Sequence, residues 1–188
     1  TYESISGTNV YWDFVELPSQ MMENWALAPE VLPTYARHVE TGEPIPTDLV
    51  EKLQRSKRFN QGFATTEYLA ASLLDMDWHT LREPTVQDPA AFEANVARRL
   101  GLIPEIEFRY RTPYFAHIFA GGYASGYYSY VWAEVLDADA FQAFKEAGNV
   151  FDAKTAKAFR ENILARGRTE DPMVLYKRFR GKAPSIEP

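Results

Sequence analysis

Apolar residues in this chain recur at the 3.6-residue spacing of an α-helix, between frequent helix start and stop signals, while the strict alternation of a half-buried strand is scarce. The reading is an all-α fold with at most a short strand pair. Pro29 opens a segment running to about His38 that Gly42 closes, and Thr47 reads as the N-cap of a helix over 48–58 striped by Leu49, Val50 and Leu53. Residues 61–82 place Phe63, Tyr68, Leu69, Leu73, Leu74, Met76, Trp78 and Leu81 around much of a helix circumference, which predicts a central, buried element. Asp88 with Pro89 starts a further helix that Gly101 stops. Leu102 to Thr112 reads as an extended connection with room for a short strand. From Pro113 to Ala147 the pattern breaks at Gly121 and Gly122, and a helix is predicted to resume near Tyr123. Asp152 caps one closing helix that ends at Gly167, and Asp171 with Pro172 caps another that ends at Gly181. No repeat and no Gly-, Ser- or Pro-rich linker divides the 188 residues, which read as one portion of a single domain.

Composition narrows the function classes. Hydrophobic residues make up 46% and charged residues 24%, as in an ordinary packed protein. Twenty Lys and Arg against 26 Asp and Glu give a net charge of -6, a field that repels phosphate backbones and anionic headgroups, so neither nucleic acid nor a membrane is the expected partner. Cysteine is absent, which excludes disulfides, thiolate nucleophiles and Cys-ligated metals. No stretch reaches the roughly 18 apolar residues of a membrane span. The chain therefore reads as soluble, with the cytoplasm as the default compartment. Its start at Thr1 without a methionine reads as part of a longer polypeptide.

Two segments mix polar groups into apolar surroundings. In Asp13–Trp25, Glu16, Gln20 and Glu23 fall at i, i+4 and i+7, which puts them on one helical face. Such carboxylates can ligate a metal or orient a ligand, and an amphipathic helix with a wet polar side accounts for the same spacing. In His117–Tyr130, Tyr123, Tyr127 and Tyr130 have the same spacing beside Gly121 and Gly122. Phenols there can donate to a developing oxyanion, and a core stripe of internally bonded tyrosines is the alternative. The glycine pair argues against the core stripe, because it costs helix stability without packing in return.

Other chemistry is excluded more simply. Gly121 to Gly126 has phosphate-loop spacing, but Tyr127 stands where the lysine belongs. His38, His79 and His117 lie far apart and form no i, i+4 zinc pair, so this chain alone does not complete a zinc site. His79 reads as a hydrogen-bonded histidine at a helix end, His38 as a surface residue, and His117, just before the glycine break, as the one in a site. No nucleophile elbow supports a serine triad.

Taken together, Asp13–Trp25 with Gly7 ahead of it, the run FAHIFAGGYASGYYSYVWAEVLDADAF over 115–141, Leu73–His79 and KRFRGKAP over 177–184 resemble the M3 family of zinc metallopeptidases, the thimet-oligopeptidase-like enzymes. The resemblance covers essentially the whole chain but only the C-terminal part of a family member. It implies the helical catalytic domain of neurolysin-like peptidases, acting on short peptides through zinc-activated water. By the same resemblance Glu16 is the third zinc ligand, with Asp13 and Glu23 orienting the other ligands from behind. Tyr123 and Tyr130 are the oxyanion donors, Tyr127 binds substrate, and His117 with the Gly121-Gly122 loop closes over the peptide.

The chain departs from the family at one point, because no HExxH occurs in it. Two histidine ligands and the general base are missing, so the chain alone is expected to be inactive and to need the rest of the catalytic domain as partner. The alternative is a non-catalytic helical module that binds peptides or partners through its tyrosines, and a third reading is a purely structural remnant.

Overall fold

The computed structural model describes residues 2–83 and 85–187. Among the described residues ten α-helices follow in chain order: α1 (Trp12–Val15), α2 (Leu17–Ala26), α3 (Leu32–Tyr35), α4 (Thr47–Ser56), α5 (Gln61–His79), α6 (Pro89–Leu100), α7 (Ala116–Phe119), α8 (Ser129–Glu146), α9 (Ala153–Phe159) and α10 (Pro172–Arg180). Short 3-10 turns at Glu3–Ile5 and Thr112–Tyr114 and a π turn at Arg160–Leu164 complete the set. No strand forms among the described residues, only an isolated antiparallel bridge between Arg37 and Pro44. The all-α expectation holds, and the extended segment 102–112 pairs with nothing to make a strand.

The chain divides into two compact units: the stretch up to Ile45 together with everything from Ser129 onward, and the intervening Pro46–Tyr128. In the first unit α8 is the spine. Leu136, Ala140 and Phe144 recur along one face and are buried in one cluster with Phe14, Leu17 and Met21 of α1 and α2, and Ala133 is buried one turn earlier. Each large apolar side chain removed from water in this way contributes about 1.5–3 kcal/mol. Trp25 sets its ring edge-on to Phe141 and Phe144, at 4.7 and 4.9 Å between centroids, and its indole N–H donates to the Val150 carbonyl at 2.9 Å. An aromatic of that size is useful here because both its apolar body and its single donor find partners. Leu175, Tyr176 and Phe179 of α10 close the core. The predicted caps form: Asp152 accepts the Thr155 amide, and Asp171 accepts those of Met173 and Val174.

In the second unit α5 and α6 pack together. Asp88 caps α6 by accepting the Ala91 amide, Pro89 occupies the first turn, and Gly101 closes the helix while Leu102 returns its N–H to Ala97. Trp78 of α5 stacks on Phe92 of α6 at 3.8 Å and donates its indole hydrogen to Thr112 Oγ1 at 3.0 Å. The buried Glu93 carboxylate accepts the Thr112 amide and faces the Arg111 guanidinium at 3.2 Å, anchoring the turn that leads into α7.

Four sequence expectations change. The α5 helix is not buried all round: Ala70, Ala71, Leu74 and Asp75 face inward, whereas Leu69, Leu73 and Met76 keep 44%, 43% and 38% of their surface. Their apolar character misled the pattern, which counts hydrophobic positions but not which side has a partner. Thr47 is the first helical residue rather than the cap, because Pro46 already has the extended conformation that precedes a helix. The segment from Pro29 yields only the single turn of α3 before the Arg37–Pro44 bridge. Helix resumes at Ser129 rather than near Tyr123, so the segment 123–128 is a turn.

Candidate active-site segments

The second unit sets His117, on α7, beside the loop that carries Gly121, Gly122, Tyr123 and Tyr127. α7 ends at Phe119 and the backbone reverses. The Gly121 amide donates to the Ala116 carbonyl at 2.7 Å, Tyr123 to His117 at 3.0 Å, and Gly126 to Tyr123 at 2.8 Å. The reversal explains both glycines. A Cβ on Gly121 would lie 3.0 Å from the Cα and the carbonyl oxygen of His117, and Gly122 adopts φ 86°, a left-handed value that side-chain-bearing residues avoid.

Around this loop the aromatic rings form a cluster. His117 lies 5.2 Å from Tyr110, 5.7 Å from Tyr127 and 6.1 Å from Tyr123, and Tyr68 of α5 stacks on Tyr127 at 5.4 Å. Tyr127 is 2% exposed, its ring enclosed by Phe115, Tyr110, His117 and Tyr68, whereas His117 and Tyr123 are half-buried. The Arg109 guanidinium sits 5.6 Å over the Tyr68 ring and 6.0 Å over that of Tyr110. A hydrogen bond with Tyr110 raises its pKa above the ordinary arginine value against the opposing effect of burial. Arg111, by contrast, is committed to Glu93 and Glu107, at 3.2 and 3.1 Å.

Behind the loop stands a residue that the spacing of the tyrosines did not point to. Asp75, 1% exposed, accepts the Ser125 amide on Oδ1 at 3.0 Å and the Tyr127 amide on Oδ2 at 2.9 Å. The signal available in the sequence was the Asp75/His79 pair at i, i+4 in Leu73–His79; His79 does sit hydrogen-bonded at a helix end, as read from the sequence.

In the first unit the predicted residues lie on α1, α2 and α8 and at the joint between the first two. Glu16 occupies the joint between α1 and α2 with near-helical angles, and the Gln20 amide donates to its carbonyl at 3.0 Å. The Glu16 carboxylate is half-buried and receives the Ser19 hydroxyl on Oε2 at 2.6 Å. Asp13, one turn earlier, lines a cavity of about 350 Å³ with Tyr11, Trp132 and Asp171. Tyr130 is the second residue of α8, and Gln20 Nε2 donates to its carbonyl at 3.3 Å. Tyr123 and Tyr127 are not helical, so the three tyrosines do not form the predicted i, i+4, i+7 row on one helix.

Glu23 is exposed, near two carboxyls of α8, the half-buried Asp137 and the exposed Glu134. Burial raises the pKa of Asp137 to about 6, helped by the charges of Glu134 and Glu23 and opposed by the Asn24 side chain, which donates to Oδ1 at 3.2 Å. Glu134 is likewise raised by burial. Among the described residues no three His, Cys, Asp or Glu side chains group as a metal site. No described helix is long and apolar enough to cross a membrane.

The family model described as Peptidase family M3 matches residues 1–188. The dipeptidyl carboxypeptidase of Salmonella typhimurium is 48% identical over 190 residues, covering 100% of this chain and 28% of that protein. Oligopeptidase A of Escherichia coli is 43% identical over 97% of the chain and 27% of its own length. A protein of Arabidopsis thaliana named probable cytosolic oligopeptidase A is 42% identical over 96% of the chain and 26% of its own length. The chain therefore spans little more than a quarter of the length of these relatives.

Proposed function

The chain belongs to peptidase family M3, and we propose that it is the C-terminal portion of the catalytic domain of a zinc-dependent oligopeptidase or peptidyl-dipeptidase acting on short peptides, inactive by itself. The observation that carries this reading is the end-to-end family match joined to the loop geometry: His117 and Tyr123, half-buried, flank two glycines that hold the backbone close. The names of the relatives, a dipeptidyl carboxypeptidase and oligopeptidases, support short peptides as substrates. The relative named as cytosolic supports a cytoplasmic site of action.

Among the described residues Glu16 does not group with two further His, Cys, Asp or Glu side chains, so it is proposed as one ligand of a zinc site that this chain only partly supplies. An HExxH-bearing segment elsewhere in the complete domain is the proposed source of the other ligands. With them in place the metal would acidify a water for attack on the peptide carbonyl. Asp13 and Glu23 are proposed to orient those ligands.

What this chain's own residues do is separable from the metal. A phenol that donates to the carbonyl oxygen is worth more as negative charge develops there, so Tyr123 and Tyr130 are proposed as oxyanion donors. His117 and the Gly121-Gly122 backbone are proposed to hold the peptide, with the glycines allowing close main-chain approach. Tyr127, enclosed at 2% exposure, is proposed to back this surface, and contact with substrate would require the loop to open.

The test joins or mixes this chain with the HExxH-bearing portion of the catalytic domain and follows cleavage of short fluorogenic peptides. Activity only in the combination, lost with Tyr123→Phe, supports the reading. An inert combination in which both parts are folded, with peptide binding retained by this chain, supports instead a non-catalytic binding module.

A further inference from the structure

We propose that Asp75 and His79 form a positioning clamp that fixes the Gly121–Tyr127 segment, and thereby the direction of the Tyr123 phenol. The functional consequence rests on the peptidase reading above; the clamp itself does not. Neither residue touches a reacting atom in this assignment.

The geometry carries the proposal. Asp75 lies in the last turns of α5, an element made rigid by Ala70, Ala71 and Leu74 packed beneath it. Its two carboxylate oxygens divide the loop between them, Oδ1 taking the Ser125 amide and Oδ2 the Tyr127 amide. Hydrogen bonds to a carboxylate in so buried a place are stronger than neutral ones and poorly replaced by water. One turn on, His79 Nδ1 lies 2.8 Å from Asp75 Oδ1 and 2.9 Å from the Asp75 carbonyl oxygen. Both neighbours are acceptors, so Nδ1 carries the hydrogen in this network.

The His79 ring then packs on Phe119, 5.6 Å away, at the start of the reversal. Trp78 reaches the same ring edge-on at 6.0 Å. The end of α5 thus grips the segment twice, at Phe119 by ring contact and at Ser125 and Tyr127 by hydrogen bonds. Between these grips stand the two glycines and Tyr123, four residues from one bonded amide and two from the other.

A clamp is needed because the segment does not hold its shape locally. Ser125 has φ 54°, in the left-handed region that a residue with a Cβ enters only when its surroundings impose it. Gly122 is freer still. Without Asp75 the amides of Ser125 and Tyr127 would lose buried acceptors, and the cheapest relief is rotation of the loop, which redirects Tyr123. Displacement of about 1 Å at a catalytic donor can cost on the order of 100-fold in rate.

The experiment has two arms. In the 188-residue chain, amide hydrogen exchange is followed at Ser125 and Tyr127, with α6 and α8 amides as controls. Asp75→Asn keeps the shape but turns a donor toward one N–H; exchange at the two amides should rise on the order of tenfold while the controls stay unchanged. His79→Ala, at a partly exposed position that tolerates truncation, should raise exchange at Ser125 several-fold, and His79→Asn, which restores a donor near Nδ1, should reverse it. Unchanged amides in folded Asp75→Asn, or equal acceleration of the controls, overturns the clamp.

In the second arm the chain is joined to the HExxH-bearing segment. Asp75→Asn should lower kcat about tenfold or more with KM and bound metal little changed. Faster loop exchange without a change in kcat overturns the positioning role. If the unsubstituted combination is inactive, the peptidase reading fails, and the exchange arm still decides whether the clamp exists.

Discussion

The Tyr176 phenol donates to Asp139 Oδ2 at 2.8 Å in the core of the first unit, with Arg180 Nε 3.3 Å from the same oxygen and Lys182 Nζ 3.6 Å from Oδ1. This is how the C-terminal run 177–184 is tied to α8: Arg180 also binds Glu146 through both terminal nitrogens at 2.7 Å. Tyr176→Phe keeps the ring and removes one donor to a buried carboxylate that retains its cations. The loss expected in urea denaturation is about 1–2 kcal/mol. Burial and then Asp139 push the phenol well above its ordinary pKa, so the loss should be the same at pH 7 and pH 9.

A pH-dependent effect belongs to Asp137 instead. Its folded pKa of about 6 lies above the ordinary carboxylate value, chiefly because burial disfavours the charge. The folded state therefore holds a proton that the unfolded chain has released, and stability falls as pH rises from about 4 through 6. Asp137→Asn removes that loss and can still accept from Asn24. It should stabilise the chain at pH 7.5 by on the order of 1 kcal/mol, discounted for the solvent that reaches this half-buried site, and by nothing below about pH 4. Thermal melts of both proteins from pH 3.5 to 8 check the sign; equal melting temperatures at pH 7.5 would contradict it.

What the sequence made legible was what local chemistry decides. The three Asp caps, the helix stop at Gly101 and the break at Gly121-Gly122 each depend on a residue and its next few neighbours, and all were readable. The turn over 123–128 was not, because its shape is held by Asp75, 50 and 52 residues away. Tyrosine spacing alone suggested a helix there. Nor could spacing tell that Tyr127 is enclosed while His117 and Tyr123 stay half-buried, since all are large aromatics of similar pattern. The outward face of α5 failed for the same reason: Leu69, Leu73 and Met76 carry the signature of a core, and only three-dimensional packing assigns the core to the other side.

Gly121 and Gly126 offer a matched pair of substitutions in the loop. A methyl at Gly121 meets His117 backbone atoms at 3.0 Å, and backbone cannot swing aside as a side-chain tip can. Gly121→Ala should cost about 1–3 kcal/mol and shift the ring resonances of His117 and Tyr123. At Gly126 the closest atom is the Tyr123 oxygen at 3.4 Å, an ordinary contact. Gly126→Ala should stay within about 0.5 kcal/mol. The contrast, read from chemical denaturation and aromatic NMR spectra, tests the tight reversal directly; equal effects would contradict it.

Glu16 makes the sharpest prediction about metal. The half-buried Glu16 carboxylate already accepts the Ser19 hydroxyl, and no three His, Cys, Asp or Glu side chains group as a metal site among the described residues, so zinc titrated calorimetrically into the 188-residue chain should give no stoichiometric binding. Joined to an HExxH-bearing segment, the same titration should reveal one tight site. Glu16→Ala should then weaken zinc by more than the roughly 10–100-fold that loss of an orienting partner typically costs, and Asp13→Asn should fall within that range. Glu23→Gln should have the smallest effect of the three, because its side chain is exposed. A joined protein that holds zinc equally well with Glu16→Ala would remove Glu16 from the ligand set without touching the assignment of the loop.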